Sequence, residues 1–441
     1  MENKNTFLLR DTEAFMRGEL DNVTVAGGQI LLDMVQGSYV PYGCYTSPAI
    51  PLPMFDALRV NWNASTPPGT AVEAQARVLV DGNWTAWASF GRWSPYIRRE
   101  GAVPGTRGAQ ILTPDALYLD SKVGVKAQLR IYLYTKEEKQ TPAIQLLGVS
   151  VRMTDVIPAG GRPVNASLHL LPYVVARRAP ALRPVMDLAC CLTSLTNRWG
   201  ADILPEEFAL AMWNCQAGQS PSNPGFAAAV AGCWGFPTWV CWADLALLRA
   251  EVRAGYGVIV ALQSSPAQVE AGLPALRYAA LRGFSAESGT PKALLDDPWA
   301  GETDFEAEIE MPLDDFLVAW TNLAICMRKR PHGPTAGCPS RSSVWLRHMQ
   351  EDEPGIYRMY LNGNPVNLPD DFCGTQEIPT GVLAWSIPDE RPHATSAHRT
   401  LRFTTPQHGG LPLEKVPGSF RKYTVYAIDV CGRMLVGDMT L

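Results

Sequence analysis

The sequence predicts a multidomain protein: a β-sandwich at the N-terminus, a central α+β segment, and an immunoglobulin-like β domain at the C-terminus. Three observations predict it. The chain has 441 residues, whereas a single hydrophobic core stops growing at about 250–300 residues. Apolar residues recur with a period of two near both ends, which marks half-buried strands. The pattern turns to mixed helix and strand between two Pro/Gly-rich stretches, 158–163 and 331–334. The boundaries fall at 1–157, 165–330 and 338–441.

In the first segment, Val72, Ala74, Ala76, Val78 and Val80 alternate with more polar neighbours, and Asp81-Gly82 then marks a hairpin turn. Trp84, Trp87 and Trp93 follow on the returning chain. Val123, Val125, Ala127, Leu129, Ile131 and Leu133 alternate again, and Ile144–Met153 is a third run. Short strands separated by Pro and Gly fit a sandwich. Trp62, Trp84, Trp87 and Trp93 fit either the packed core or a groove for sugar or peptide.

The central segment opens with helical character over 187–199. Leu204-Pro205-Glu206-Glu207-Phe208 begins a second helix, with Pro where its missing N–H costs nothing. Phe208, Met212 and Trp213 line its apolar face. Phe226, Val230 and Trp234 suit a third helix ended by Gly235. Asp244 suits the N-cap of a fourth that ends at Gly255 and turns Leu245, Leu248 and Val252 inward. Val258–Leu262, Tyr278–Phe284 and Ala293–Leu295 read as buried strands. In the last segment, Tyr357–Leu361 runs into an Asn362-Gly363 turn, and Tyr423–Val430 reads as a closing strand.

Composition bounds the function. Hydrophobic residues make up 46% and charged residues 18%, a globular mixture that excludes disordered, collagen-like and coiled-coil chains. A net charge of -5 provides no basic footprint for nucleic acid. Six His and no CxxC pair argue against a zinc site, and no cofactor is expected. No run approaches the roughly 20 apolar residues that span a bilayer. The first residues, Met1 to Asn5, lead into mixed polar sequence with no apolar signal region, so a cytoplasmic protein with free thiols is the expectation.

The candidate chemistry lies in Asp187-Leu188-Ala189-Cys190-Cys191-Leu192-Thr193-Ser194. A cysteine where a helix begins feels the positive end of the dipole, which favours thiolate. This stretch resembles the peptidases related to bacteriocin-leader-processing (double-glycine) enzymes, a bacterial group of papain-like fold. Cys190-Cys191-Leu192-Thr193-Ser194 matches the family's Cys-Ser-Pro-Thr-Ser at Cys, Thr and Ser. Trp199-Gly200, Pro205-Glu206, the small-residue helix Ala227–Phe236 and the helix-strand unit Asp244–Leu262 then follow in family order. The resemblance covers about 165–330 and implies a papain-like cysteine-peptidase-like domain.

It also implies site residues. Cys190 takes the nucleophile position. The family's Asn-Asp-Pro turn corresponds to Asp296-Asp297-Pro298, which makes Asp297 the orienting acid. Counting back from Gly283-Phe284 puts Arg277 at the expected His. The expected oxyanion Gln is absent, and Leu171–Ala176 fills that stretch. An arginine stays protonated, so it cannot serve as a general base, although it can pair with Asp297 or hold a thiolate by charge. The expectation is a degenerate triad with impaired or lost hydrolysis, or a non-catalytic binding protein. Cys190 as a buried small hydrophobe, Asp297 as a turn former and Arg277 as an ion-pair partner are the plainer alternatives. The six His lie at its edge (His169) or beyond it (His332, His348, His393, His398 and His408), so a base would have to arrive through packing. The preceding sandwich resembles accessory modules of this group. That implies a surface polymer as one partner, beside a peptide or protein ligand.

Overall fold

Strand Ile50–Ser65 organises the N-terminal half. The computed structural model describes residues 4–331 except 68, 96, 98, 155–160, 179–181, 202, 204, 215, 217 and 287–288, and several strands between 344 and 440. We label the principal N-terminal strands β1 (Thr6–Leu9), β2 (Tyr42–Thr46), β3 (Ile50–Ser65), β4 (Thr70–Val80), β5 (Ala88–Trp93), β6 (Gly124–Thr135) and β7 (Ala143–Met153). Up to Met153 the described residues are mainly strand, as the alternation predicts, with one short helix at Thr12–Met16. The principal strands are nevertheless hydrogen-bonded into one 15-stranded sheet rather than two separate sheets. The reason is the length of β3. Its start pairs with β6 through Ile50, Pro51 and Phe55, and its remainder pairs with β7 from Phe55 to Ser65.

The Asp81-Gly82 turn forms a two-residue hairpin, with Asn83 opposite Val80 and both turn residues at positive φ (49° and 79°). The alternation in β6 is broken at one point. Leu129, Ile131 and Leu133 are buried, but Val123 and Val125 are exposed. A register shift between Gly124 and Lys126 turns the start of the strand over, because one extra residue inverts which side chains face the core. Trp62 and Trp93 are core residues, while Trp84 and Trp87 lie outside it.

The central segment carries helices α1 (Arg183–Asn197), α2 (Pro205–Met212), α3 (Pro224–Cys233), α4 (Leu245–Arg253) and α5 (Leu313–Ala319). With them are strands β8 (Thr238–Trp242), β9 (Val258–Gln263), β10 (Leu276–Ser285), β11 (Lys292–Asp296), β12 (Glu308–Pro312) and β13 (Trp320–Met327). These strands form an antiparallel sheet in the order β8-β13-β9-β10-β11-β12, and the short strand Ala166–Ser167 joins β10. Side-chain alternation sorts its two faces. Val260, Ala279, Leu281, Leu295 and Cys326 pack with Leu248 and Val252 of α4 and with Phe316 of α5. Ile259, Ala261, Tyr278, Ala280 and Ile325 pack with α1, α2 and α3. Asp244 caps α4 as predicted, accepting from Leu247 N, and Gly235 and Gly255 sit at positive φ just past α3 and α4.

The linker expected near 158–163 does not separate two cores. The apolar cluster that contains Leu129 and Val149 continues without a break into Leu188, Phe226 and Ile325. The junction is an edge cap. Strand β8 has a free outer edge, and asparagine side chains occupy it. Asn63 donates to Thr238 O (2.9 Å) and accepts from Thr238 N (2.9 Å). Asn61 does the same with Val240 O (3.1 Å) and Val240 N (2.7 Å). Asn5 donates to Trp242 O (2.7 Å). Side-chain amides thus stand where another strand would supply backbone groups. A Cβ on Gly232 would come within 2.4 Å of Asn63 Cγ, so α3 needs glycine at this approach.

In the C-terminal segment, Ile356–Leu361 pairs antiparallel with Met349–Glu353 and Asn364–Pro365. Lys422–Ile428 pairs antiparallel with Met434–Thr440 and parallel with Val344–Trp345. The Asn362-Gly363 turn, Asp429-Val430 and the rest of the immunoglobulin-like expectation lie outside the described residues.

Replacing Asn61 and Asn63 together by Ala leaves the buried Thr238 and Val240 N–H groups without acceptors. Each buried orphan costs about 1–3 kcal/mol. The double variant is expected to lose about 2–6 kcal/mol in a denaturant titration; a loss within about 0.5 kcal/mol would show that the edge does not need the cap.

Candidate functional site

The site lies where α1 crosses β10 and meets the turn after β11. Arg277, on β10, is buried and gives Nε to Asp297 Oδ2 (2.9 Å) and Nη1 to Ser264 Oγ (2.8 Å). Ser264 accepts from the guanidinium because its own proton goes to Pro274 O (2.7 Å). Asp297 is held in turn: its Oδ1 accepts from Trp299 N (3.0 Å), and its backbone N–H donates to Ala307 O (2.8 Å). The sequence-derived pair Arg277 and Asp297 therefore meets in space.

Helix α1 begins four residues earlier than expected, at Arg183 with Pro184 in its first turn. Cys190 is thus the eighth residue of the helix, about two turns in at 3.6 residues per turn. The dipole effect fades within the first turn, so the helix-start argument for its thiolate does not hold. Cys190 and Cys191 are both buried. Burial, with Asp187 and Asp297 nearby, pushes the Cys191 thiol well above its ordinary value.

The residue that α1 brings to Arg277 and Asp297 is Asp187. Its Oδ2 accepts from Tyr278 N (3.0 Å), next to Arg277, and from Trp299 Nε1 (3.2 Å), two residues past Asp297. Its Oδ1 accepts from Leu188 N (2.7 Å). Trp299 therefore ties the two carboxylates together, and the Arg183 guanidinium lies 5.1 Å from its ring centroid. Burial outweighs these three donors and raises Asp187 from 3.8 to about 6. Asp296 sits beside Arg282 (3.1 Å) and Glu308 and is likewise pushed up to about 6 by burial.

Asp187, Ser264 and Trp299 were not singled out from the sequence as site residues. A signal existed for Asp187, an isolated carboxylate in a helix turn otherwise apolar on both sides. Ser264 and Trp299 carry no such signal. Over Leu171–Ala176, the stretch read as lacking the Gln, Leu171 O accepts from Ser194 Oγ (2.6 Å). His169 is exposed, and the other five His lie outside the described residues. No helix among the described residues is long and apolar enough to cross a membrane.

Arg277, Asp297, Trp299 and Asp187 thus form one hydrogen-bonded cluster where α1 crosses β10. Residues 8–151 match the family described as Peptidase C39 N-terminal domain. That match makes this part of the chain similar to the N-terminal domain of C39 peptidases. The matched residues make up about the first third of the chain, whereas the motifs read from the sequence lie in 165–330. Among solved structures, the chain is similar to the peptidase domain of Streptococcus ComA, a bi-functional ABC transporter involved in a quorum sensing pathway. The identity is 18%, over 36% of this chain and 98% of that one, with a TM-score of 0.27. It is also similar to a Podospora anserina GH26-CBM35 β-(1,4)-mannanase at 11% identity, over 44% of this chain and 36% of that one, with a TM-score of 0.17. A family two carbohydrate esterase from Cellvibrio japonicus matches at 11% identity, over 42% and 50%, with a TM-score of 0.17. No curated protein matches the chain.

Two outcomes test the cluster. Removing one partner of a buried ion pair typically costs about 3–5 kcal/mol. Arg277→Ala is therefore expected to lower stability by that amount in urea, and a loss under about 1 kcal/mol would show that the pair is not holding the fold. The second concerns pH. Asp187 and Asp296 titrate near 3.8 when unfolded and about 6 when folded, so between these values the folded state binds more protons. Their contribution is complete below about pH 4 and is lost as pH rises through 6, at roughly 1 kcal/mol per pH unit per group. Asp296→Asn, compared with wild type across pH 4–8 by chemical denaturation, is expected to flatten the profile and gain relative stability toward pH 8. Parallel profiles would show that Asp296 has an ordinary carboxylate titration.

Proposed function

We propose that the central segment, about residues 165–330, is a papain-like, cysteine-peptidase-like domain whose hydrolytic site has become a charge-locked structural cluster, making the protein a pseudoenzyme that binds rather than cleaves. On this reading 1–157 is an accessory β-sandwich whose layers share strand β3, 338–441 is an immunoglobulin-like domain, and the ligand is a peptide or protein. The buried Arg277–Asp297 pair (2.9 Å) carries the reading. Where the resemblance calls for His, a permanently protonated group is committed to Asp297 and Ser264 and cannot accept a proton.

Two further observations support it. The α1 group tied to this cluster through Tyr278 and Trp299 is the Asp187 carboxylate, whose oxygens receive three N–H donors. Cys190 is fully buried two turns inside the helix, and its neighbour Cys191 is held neutral. A thiol kept from water is a poor nucleophile. General acid–base assistance is worth about 10²–10⁴-fold, and its loss is sufficient to silence peptide hydrolysis.

The test is a fluorogenic peptide assay with double-glycine substrates. Wild type and Cys190→Ala are expected to be equally inactive. Robust wild-type turnover abolished by Cys190→Ala would overturn the proposal and restore the hydrolase reading, with Asp297 orienting a base from elsewhere. In the gain-of-function arm, Asp187→Cys with Arg277→His places a thiol and an imidazole where the carboxylate and guanidinium stand. Hydrolysis dependent on the introduced thiol is the expected result.

A further inference from the structure

Beyond that reading, we infer that the outward face of β4, β5 and β6 is a binding surface for an anionic polysaccharide. Seven side chains form one continuous stack across it. Arg77 lies 4.9 Å from the Trp84 ring centroid and 4.7 Å from that of Trp87. Arg130 lies 3.9 Å from Trp87 and 5.8 Å from Tyr132. Tyr132 stacks on Tyr134 at 6.1 Å and 20°, and Arg92 closes the row 4.1 Å from Tyr134. Arg77 gives Nε and Nη2 to Gln128 Oε1 (2.9 and 2.6 Å), and Arg130 gives Nη1 to the Tyr132 hydroxyl (3.1 Å) with its Nε buried, so the exposed Arg92 keeps the most of its fork for a ligand.

Glu73 and Glu100 stand opposite Arg92 on the flanking strands, but among the described residues no carboxylate forms an ion pair with any of the three guanidinium groups of the row, Arg77, Arg92 and Arg130. Arg59, Arg152, Arg178 and Arg328 also lie over aromatic rings, and each of these is paired with a carboxylate. The one acid on the outward side of the three strands, Glu73, accepts from Gln75, Ser89 and Tyr134. A cationic array of this kind runs against the net charge of -5. Arginine forks match carboxylate or sulfate geometry bidentately, and rings between them offer apolar surface to sugar C–H groups. An open row, with no enclosing walls among these residues, fits an extended chain that repeats its charge. A peptide strand would add to a free sheet edge, but β4 is paired along both sides, by β5 and by β6.

The experiment titrates the full chain with oligogalacturonate, following tryptophan fluorescence and calorimetric heat. Neutral dextran and poly-L-glutamate serve as the competing chemistries. Saturable oligogalacturonate binding that weakens with added salt is expected, with dextran inert and poly-L-glutamate clearly weaker. Arg92→Gln, at an exposed position, and Arg130→Gln are each expected to weaken it by about 10-fold, the loss of one charge-assisted fork, with an unchanged melting temperature for Arg92→Gln. Absence of saturable binding, equal binding of dextran, poly-L-glutamate binding as tightly, or wild-type affinity in both variants would each overturn the inference. None of these variants touches the Arg277 cluster, so the outcome is independent of the pseudoenzyme reading.

Discussion

The constraint on which the rest of this structure depends is the free edge of β8. An unpaired strand edge buried against another layer must have its N–H and C=O groups satisfied, because each orphan is costly away from water. Here Asn61, Asn63 and Asn5 supply the missing partners. Because their amides reach out from the N-terminal sheet, the central sheet is completed by its neighbour rather than merely tethered to it. The continuous apolar cluster on both sides of this seam, with Trp62 edge-on to Phe226 at 6.3 Å, follows from the same contact. Arg59 and Asp115 extend the seam toward Tyr278, since Arg59 lies 4.9 Å from the Trp242 ring centroid and both charges act on the Tyr278 hydroxyl.

Tyr278 adjoins Arg277, so the seam and the charge cluster are neighbours. The cluster holds two carboxylates, Asp187 and Asp297, around one guanidinium. Trp299 meets one with its backbone and the other with its indole. Asp297 has the guanidinium, while Asp187 depends on N–H donors alone, and burial therefore raises its titration to about 6. An arrangement in which both carboxylates and the guanidinium Nε and Nη1 have fixed partners suits rigidity. Proton transfer needs a group that changes its protonation state during the reaction, and a guanidinium is the side chain least able to do so.

Much of this was legible along the chain. The period-two runs at 72–80 and 144–153 became strands, Asp81-Gly82 became a hairpin turn, and Asp244 became a helix cap, because alternation, turn chemistry and capping are each set by residues only a few positions apart. The pairing of Arg277 with Asp297 was legible as well, since both sit beside turns that fix their spacing. The parts that were not legible share one property: their partner is distant in sequence. Val123 and Val125 kept the strand pattern, yet a register shift against β4 turned them to solvent. Asn61 and Asn63 find their partners more than 170 residues away.

The sequence by itself determined the alternating strands of the first segment and the helix capped by Asp244, and it holds no histidine between residues 170 and 331. The tertiary structure alone decided that the two sheets share one core. It alone decided that α1 brings a carboxylate to the Arg277–Asp297 pair, and that the arginines of the outer face stack without acidic partners. Local periodicity encodes the conformation of a segment and which of its faces is apolar. The identity of the group across a buried contact is set by how segments pack, and packing is a property of the whole chain.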